Sequence, residues 1–169
     1  ALLRVSRRNG GHQMKRNSLW LVVIVAGVVL LAANAQAQDH EFAGAGKCKM
    51  CHKVQHASWL ETSHAKATDA AKAATDREFS ADCLKCHATN ADEAMSGVQC
   101  EACHGAGNDY KKMSIMKDVE AAKANGLVIP TQATCDGCHT GDDHAKKVVL
   151  ADNLNNKAAI HEFKNPPGE

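Results

Sequence analysis

The pattern Cys-x-x-Cys-His occurs four times in this chain of 169 residues, and it accounts for all eight cysteines. The four copies read CKMCH, CLKCH, CEACH and CDGCH, and they begin at Cys48, Cys83, Cys100 and Cys135. This pattern is the attachment signature of c-type haem. Its two thiols form thioether bonds with the porphyrin, and the histidine that follows binds the iron. The sequence therefore predicts four haem c groups, each with one iron.

Each motif is expected to supply two haem-bound sulfurs and one proximal iron ligand. The haem-binding residues are Cys48, Cys51, Cys83, Cys86, Cys100, Cys103, Cys135 and Cys138. The proximal ligands are His52, His87, His104 and His139. A zinc site built from paired motifs would leave the histidine after each motif without a role, four times over. A redox dithiol of the thioredoxin type would need a βαβ context, and the sequence lacks one.

The first 37 residues have the organisation of a secretory signal peptide. A basic segment begins at Met14, which we take as the true start of translation, and an apolar run follows from Leu19 to Ala33. The small residues of the sequence AQA, which ends at Ala37, form the expected cleavage site. The apolar run is shorter than the about 20 residues of a membrane span, which favours cleavage over an uncleaved anchor. We expect residues 38–169 to form a single domain that binds the four haems, in the periplasm or outside the cell.

Removal of this segment would leave an acidic chain. The sequence has 20 basic and 19 acidic residues, and five of the basic ones but no acidic one precede residue 38. The remaining 15 basic residues against 19 acidic ones give a net charge of −4. This balance argues against nucleic-acid binding. It favours redox protein partners with basic docking surfaces, without stable insertion in a membrane.

The expected fold is mainly α, with helices and loops wrapped around four stacked c-type haems and little regular sheet. Residues 38–169 amount to 33 residues per haem and contain only five aromatic side chains. We therefore expect the porphyrins to take the place of a conventional apolar core. Helices are predicted at three places, from composition, spacing and the Gly and Pro residues that end them: Lys53 to Ala74, Met113 to Asn125, and His144 to Phe163.

Three segments carry more information than the haem motifs alone. They read KCKMCHKVQHASWLETSHAKA, GVQCEACHGAGNDY, and CDGCH with a later IHE. These segments resemble the tetrahaem cytochrome c five-five-four family of ammonia-oxidising bacteria, whose members accept electrons from hydroxylamine oxidoreductase. The resemblance implies closely stacked pairs of haems. It also implies that His64 and His161 are distal iron ligands, which we assign to the third and fourth haems respectively.

The resemblance leaves two distal positions in question. In the family, a histidine shortly after the third motif caps the first haem, but here the run from Gly105 to Thr134 has no histidine and reads DYKKMSIMKD in the corresponding place. The first haem then has a methionine ligand, a histidine from elsewhere, or an open site. The candidates are Met116, which is the favoured methionine, Met113, His40, His56 and His144. The family leaves the second haem without a distal ligand, so His87 is expected to be its only protein ligand.

The remaining polar and aromatic side chains are assigned plainer roles. His40, His56 and His144 lie in polar or exposed surroundings and are expected at the surface unless one of them serves the first haem. Trp59 and Tyr110 are expected to pack against haems, as the family's residues at such positions do.

The expected function is electron transfer through the four haems, without catalytic residues. Two alternatives to this function stay open. In the first, the chain is a protomer of an extracellular cytochrome filament. In the second, it is a small nitrogen-oxide reductase that uses a haem with an open distal site.

Overall fold

Short helices joined by turns and loops make up the described chain. The structure is a computed structural model, which describes residues 40–154 and 156–163; the predicted signal peptide lies outside these ranges. The α-helices are α1 (Ala45–Cys48), α2 (Lys53–Leu60), α3 (Ala67–Ala73), α4 (Leu84–His87), α5 (Cys100–His104), α6 (Met113–Met116), α7 (Val119–Ala124), α8 (Gln132–Asp136) and α9 (Leu150–Asn153). Within the described ranges, extended pairing is limited to isolated bridges from Ala88 to Ser96 and Gly97. The predicted mainly α fold is confirmed.

Each haem motif lies in or beside a single helical turn. In the first motif the backbone N–H of His52 donates to the carbonyl of Cys48 at 2.9 Å, and in the fourth the N–H of His139 donates to that of Cys135 at 2.8 Å. Residues three and four apart share one face of such a turn. The spacing of the motif therefore brings both thiols and the imidazole to the same side of the backbone.

The predicted helix from Lys53 to Ala74 is wrong in its middle. Helix α2 ends at Leu60, and α3 begins only at Ala67. Between them the buried hydroxyl of Thr62 donates to the carbonyl of Trp59 at 2.7 Å and accepts from the N–H of Ala65 at 3.3 Å. Side-chain hydrogen bonds of this kind compete with the helical pattern of the backbone. The break places His64 in a turn rather than on a helix.

The second predicted helix, from Met113 to Asn125, is also divided. Helix α6 ends at Met116, and α7 begins at Val119. Asp118 separates them, because its carboxylate accepts from the N–H groups of Glu120 and Ala121 at 2.9 and 3.1 Å. A carboxylate in that position caps the start of a new helix, and this local signal outweighs continuation of the old one.

The third predicted helix, from His144 to Phe163, is reduced to α9. The Gln132 side chain holds the preceding segment in an extended path, since it donates to the carbonyl of Val148 at 2.9 Å and accepts from the N–H of Leu150 at 2.8 Å. After α9, the side chain of Asn156 accepts from the N–H of Ala158 at 3.2 Å, which favours a turn over a helix.

Buried polar side chains, more than apolar ones, connect the segments. Thr68 accepts from the N–H of Gly97 at 2.7 Å and donates to the carbonyl of His87. Thr89 donates to the carbonyl of Gly97 at 2.9 Å and accepts from the N–H of Gln99 at 2.8 Å. The largest fully buried side chains are threonines, while the buried apolar side chains are mostly alanines. Such a thin core fits a chain that wraps large apolar groups.

One buried carboxylate joins the first and third motifs. Glu101, on α5, is 2% exposed. Its Oε1 accepts from the N–H groups of Ala43 and Gly107 at 2.7 and 2.6 Å, and its Oε2 accepts from that of Gly44 at 2.7 Å. Because Ala43 and Gly44 lead directly into α1, Glu101 fixes the first motif against the third.

Candidate haem sites

Three pairs of histidine rings lie at the distance expected for two axial ligands of one metal. The ring centroids are separated by 6.1 Å for His64 and His139, by 6.3 Å for His104 and His161, and by 5.8 Å for His87 and His144. A metal bonds an imidazole nitrogen at about 2 Å, and the ring centre lies about 1 Å farther, so two trans imidazoles have centroids about 6 Å apart. One member of each pair is a motif histidine.

Hydrogen bonds select the tautomer of these rings. Each motif histidine of the three pairs has its Nδ1 within hydrogen-bonding distance of a backbone carbonyl, which becomes the acceptor when Nδ1 carries the proton. The contacts are His87 with Ala67 at 3.0 Å, His104 with Val128 at 3.3 Å, and His139 with Lys146 at 2.9 Å. A proton on Nδ1 leaves Nε2 unprotonated, and an unprotonated nitrogen is what a metal requires. Burial also lowers the pKa of His104, which favours its neutral form.

Two of the predicted distal ligands take each other's place. We expected His64 at the third haem and His161 at the fourth, but His64 lies beside His139 of the fourth motif and His161 lies beside His104 of the third. The broken helix explains the first change, since the turn after α2 carries His64 to the backbone of Ala159 in the C-terminal segment. Ligation itself stays a prediction for both residues.

The neighbour of His161 explains the second change. The backbone N–H of Glu162 donates to the hydroxyl of Ser58 at 2.7 Å. This bond ties the C-terminal segment to α2, next to the first motif. Because the third motif is fixed against the first, His161 reaches the third motif rather than the fourth.

His144 has a position that the sequence did not suggest. It is exposed, as expected of a surface residue, but its ring also lies beside that of His87, with centroids 5.8 Å apart and 17° between the planes. His87 was predicted to be the only protein ligand of the second haem, but a second imidazole, that of His144, lies at the distance expected for another ligand of the same iron. The polar sequence GDDHAKK around His144 gave no sign of this contact.

The structure says less about the distal ligand of the first haem, opposite His52. His52 is exposed at the start of α2. Among its possible partners, His56 lies 5.5 Å from Trp59 between ring centroids, Met113 is exposed and Met116 is partly buried. The Nδ1 of His40 lies 2.7 Å from Oδ2 of Asp109. The distal ligand of the first haem therefore stays an open prediction among these residues.

The cysteines of different motifs approach one another in pairs. All eight cysteines lie in the described ranges and are free of disulfide bonds. The neighbouring thiol of Cys100, together with burial, raises the pKa of Cys48. Burial, with the neighbouring Cys86 thiol, raises the pKa of Cys138 to about 12. The first motif thus lies beside the third, and the second beside the fourth, an arrangement that suits stacked pairs of haems.

The two aromatic residues singled out from the sequence anchor the backbone around the third motif. The indole N–H of Trp59 donates to the carbonyl of Val98 at 2.9 Å. The buried hydroxyl of Tyr110 donates to the carbonyls of His104 and Gly105, at 3.1 and 2.9 Å. Their packing against haems stays a prediction.

These residues fit haem better than a bare metal ion. In the described ranges, no group of three or more His, Cys, Asp or Glu side chains is arranged to hold a metal. A pair of facing imidazoles supplies two axial ligands, and a porphyrin supplies the four in its plane.

In the same part of the chain, no helix is long and apolar enough to cross a membrane.

Comparison with known proteins agrees with this geometry. The family model for cytochrome c554 and c-prime matches residues 47–105. Cytochrome c-554 of Nitrosomonas europaea is 30% identical over 115 residues, an alignment that covers 53% of this chain and 49% of the relative. The chain thus spans about half the length of this curated relative.

A solved structure extends the likeness to the fold. The reduced state of cytochrome c554 from Nitrosomonas europaea superposes with a TM-score of 0.58 and 21% identity, over 74% of this chain and 86% of the solved one. The resemblance inferred from the motifs is therefore confirmed. The chain is thus similar to the cytochrome c554 family of c-type cytochromes, in sequence over residues 47–105 and in fold over most of its length.

Proposed function

We propose that the protein is an electron carrier that binds four c-type haems and passes electrons between redox proteins in the periplasm or outside the cell. The observation that carries this proposal is the pairing of imidazoles. Three motif histidines each have a second imidazole whose ring centroid lies 5.8 to 6.3 Å from their own, which leaves room for one metal between the rings. A chain with eight motif cysteines has attachment sites for four haems.

The residues of the chain bind and orient the haems rather than act on a substrate. The cysteine pairs would anchor each porphyrin, and the paired histidines would bind the irons. Backbone carbonyls fix the tautomer of the motif histidines, which also makes the imidazole a stronger electron donor to the metal. When bound, haem iron supplies reversible one-electron chemistry. An iron held by two imidazoles would have no free position for a substrate, which favours electron transfer over catalysis.

The choice of partners follows from charge. The acidic balance of residues 38–169 suits partners with basic docking surfaces, because complementary charge speeds brief encounters. Export is required for the haems to be attached, since the attachment of c-type haem takes place outside the cytoplasm.

The experiment is purification of the holoprotein from a host with a haem-attachment system. Haem is counted by the pyridine haemochrome method and by the mass of the intact chain, and a redox titration follows. We expect four haems per chain, an N-terminus near residue 38 and fully reversible reduction. A chain with fewer than four haems, or one that turns over nitric oxide at a sustained rate, would contradict the proposal. As a matched control, the double variant Cys135→Ser and Cys138→Ser should carry one haem fewer.

A further inference from the structure

His144 is the paired histidine that neither the motifs nor the resemblance assigned. Its ring centroid lies 5.8 Å from that of His87, with the planes almost parallel. We propose that His144 is the distal ligand of the haem held by Cys83, Cys86 and His87, so that this haem is six-coordinate in the present protein. The inference rests on the proposed function, because it requires haem at the second motif.

The loop that carries His144 has an unusual backbone conformation. Asp143 has a φ of 47°, in the left-handed region, and Gly141 has a φ of 89°. The N–H of Gly141 donates to the carbonyl of Ala145 at 2.7 Å and closes the loop around His144. A residue other than glycine is strained in the left-handed region and persists there only where its surroundings hold it.

Arg77 provides that hold from a distant part of the chain. Its guanidinium forms an ion pair with the Asp143 carboxylate, and it also contacts Asp76 at 2.9 Å. Arg77 and Asp76 lie in the segment after α3, the helix whose first residue, Ala67, offers its carbonyl to His87. The loop with His144 and the second motif are therefore fixed to the same part of the chain.

The neighbours of His144 include an acceptor for the tautomer that a metal needs. Its Nδ1 lies 2.7 Å from Oδ2 of Asp143 and 2.7 Å from Nη1 of Arg77. The carboxylate accepts from a protonated Nδ1, whereas the guanidinium donates only to an unprotonated one. Binding of a metal at Nε2 selects the first tautomer, with the proton shared with Asp143, as in carboxylate–histidine–metal arrangements. Arg77 in turn holds the carboxylate in place.

The consequence is functional. With His87 on one side and His144 on the other, the second haem has no axial position for a diatomic molecule. This haem then serves electron transfer alone, which argues against the small nitrogen-oxide reductase considered from the sequence. The difference from the resembling family lies in His144 and in the two charged residues beside it, Asp143 and Arg77.

The test compares wild-type holoprotein with His144→Ala and with a control in the same loop, Asp142→Ala, which removes an exposed side chain. High-spin ferric haem is quantified by electron paramagnetic resonance, and carbon monoxide binding is titrated on the reduced proteins. We expect His144→Ala to gain one high-spin haem and one carbon monoxide site per chain, while Asp142→Ala matches the wild type. Equal values for His144→Ala and wild type, with all haems attached, would overturn the inference.

Two further variants keep the test sharp if His144→Ala folds poorly. His144→Met should retain a low-spin haem, gain the far-red band of methionine-bound ferric iron and raise one reduction potential. Asp143→Asn should keep all spin states and raise the potential of one haem, because a neutral amide supports the imidazole less well. A merely structural role for the loop predicts no change in either potential.

The outcomes separate this inference from the proposed function. A wild-type chain with four haems and reversible reduction, whose spin states do not respond to His144 substitutions, refutes the inference alone. A wild-type chain without haem at the second motif refutes both.

Discussion

Replacing Glu101 tests how the first and third motifs are held together. The Glu101 carboxylate is almost fully buried and accepts three backbone N–H groups, two at Oε1 and one at Oε2. In Glu101→Gln, the side-chain oxygen is best placed at the Oε1 position, where it keeps two bonds. The new NH₂ group then faces the N–H of Gly44, and two donors oppose each other.

The magnitude follows from these bonds. An unsatisfied buried donor costs about 1–3 kcal/mol, and each bond that loses its charged acceptor weakens by about 1 kcal/mol. We therefore expect the free energy of unfolding of Glu101→Gln to fall by about 3–5 kcal/mol, and that of Glu101→Ala to fall further, since all three N–H groups lose their acceptor. For a domain of this size, about 4 °C of melting temperature accompanies each kcal/mol, so the melting temperature of Glu101→Gln should fall by about 12–20 °C.

The assay is thermal unfolding of the holoproteins at equal haem content, followed by far-ultraviolet circular dichroism. Glu120→Gln is the matched control, because Glu120 lies on the surface of α7 and its ion pair with Lys123, at 2.7 Å, is exposed. Such pairs contribute about 0–1 kcal/mol. If both Gln variants melt within a degree or two of each other, the carboxylate does not connect the motifs as described.

Three further predictions use other contacts. Gly97→Ala should lower the melting temperature strongly, because φ is +79° and a Cβ would lie 2.6 Å from a backbone oxygen. In the control, Gly46→Ala, the Cβ meets no atom within 4 Å, so the melting temperature should stay equal or rise slightly; equal melting temperatures of the two variants would contradict this. Thr68→Val should cost about 2–3 kcal/mol in denaturant unfolding, since two buried backbone groups lose their partner, while Thr68→Ser should retain most of the stability. His64→Ala and His161→Ala should each create one high-spin haem, detected by electron paramagnetic resonance. The reduction potential that changes should be that of the fourth haem in His64→Ala and that of the third haem in His161→Ala, and the opposite assignment would refute the pairing.

The haem motifs and the helical class were accessible from the sequence because their determinants are local. A spacing of three and four residues places Cys48, Cys51 and His52 on one side of a turn, whatever the rest of the chain does. The helix boundaries were less accessible. Thr62 and Asp118 stop helices through side-chain bonds that composition alone does not weigh against helix propensity.

The pairing of distal histidines was not accessible, because it depends on contacts between distant segments. His64 and His139 are brought together by a turn after α2 and by the path of the C-terminal segment. His144 sits in a stretch of charged residues that is typical of a surface loop. Its position depends on Arg77, and no feature of the sequence relates these two residues.

The central claim is that paired imidazoles hold the haems of the second, third and fourth motifs. Near-infrared magnetic circular dichroism of the oxidised holoprotein, normalised to haem content, tests it most directly, because the ligand-to-iron bands distinguish bis-histidine from histidine–methionine and high-spin haem. We predict four haems per chain, of which at least three have the bis-histidine signature. Two or fewer bis-histidine haems in a fully loaded chain would contradict the account.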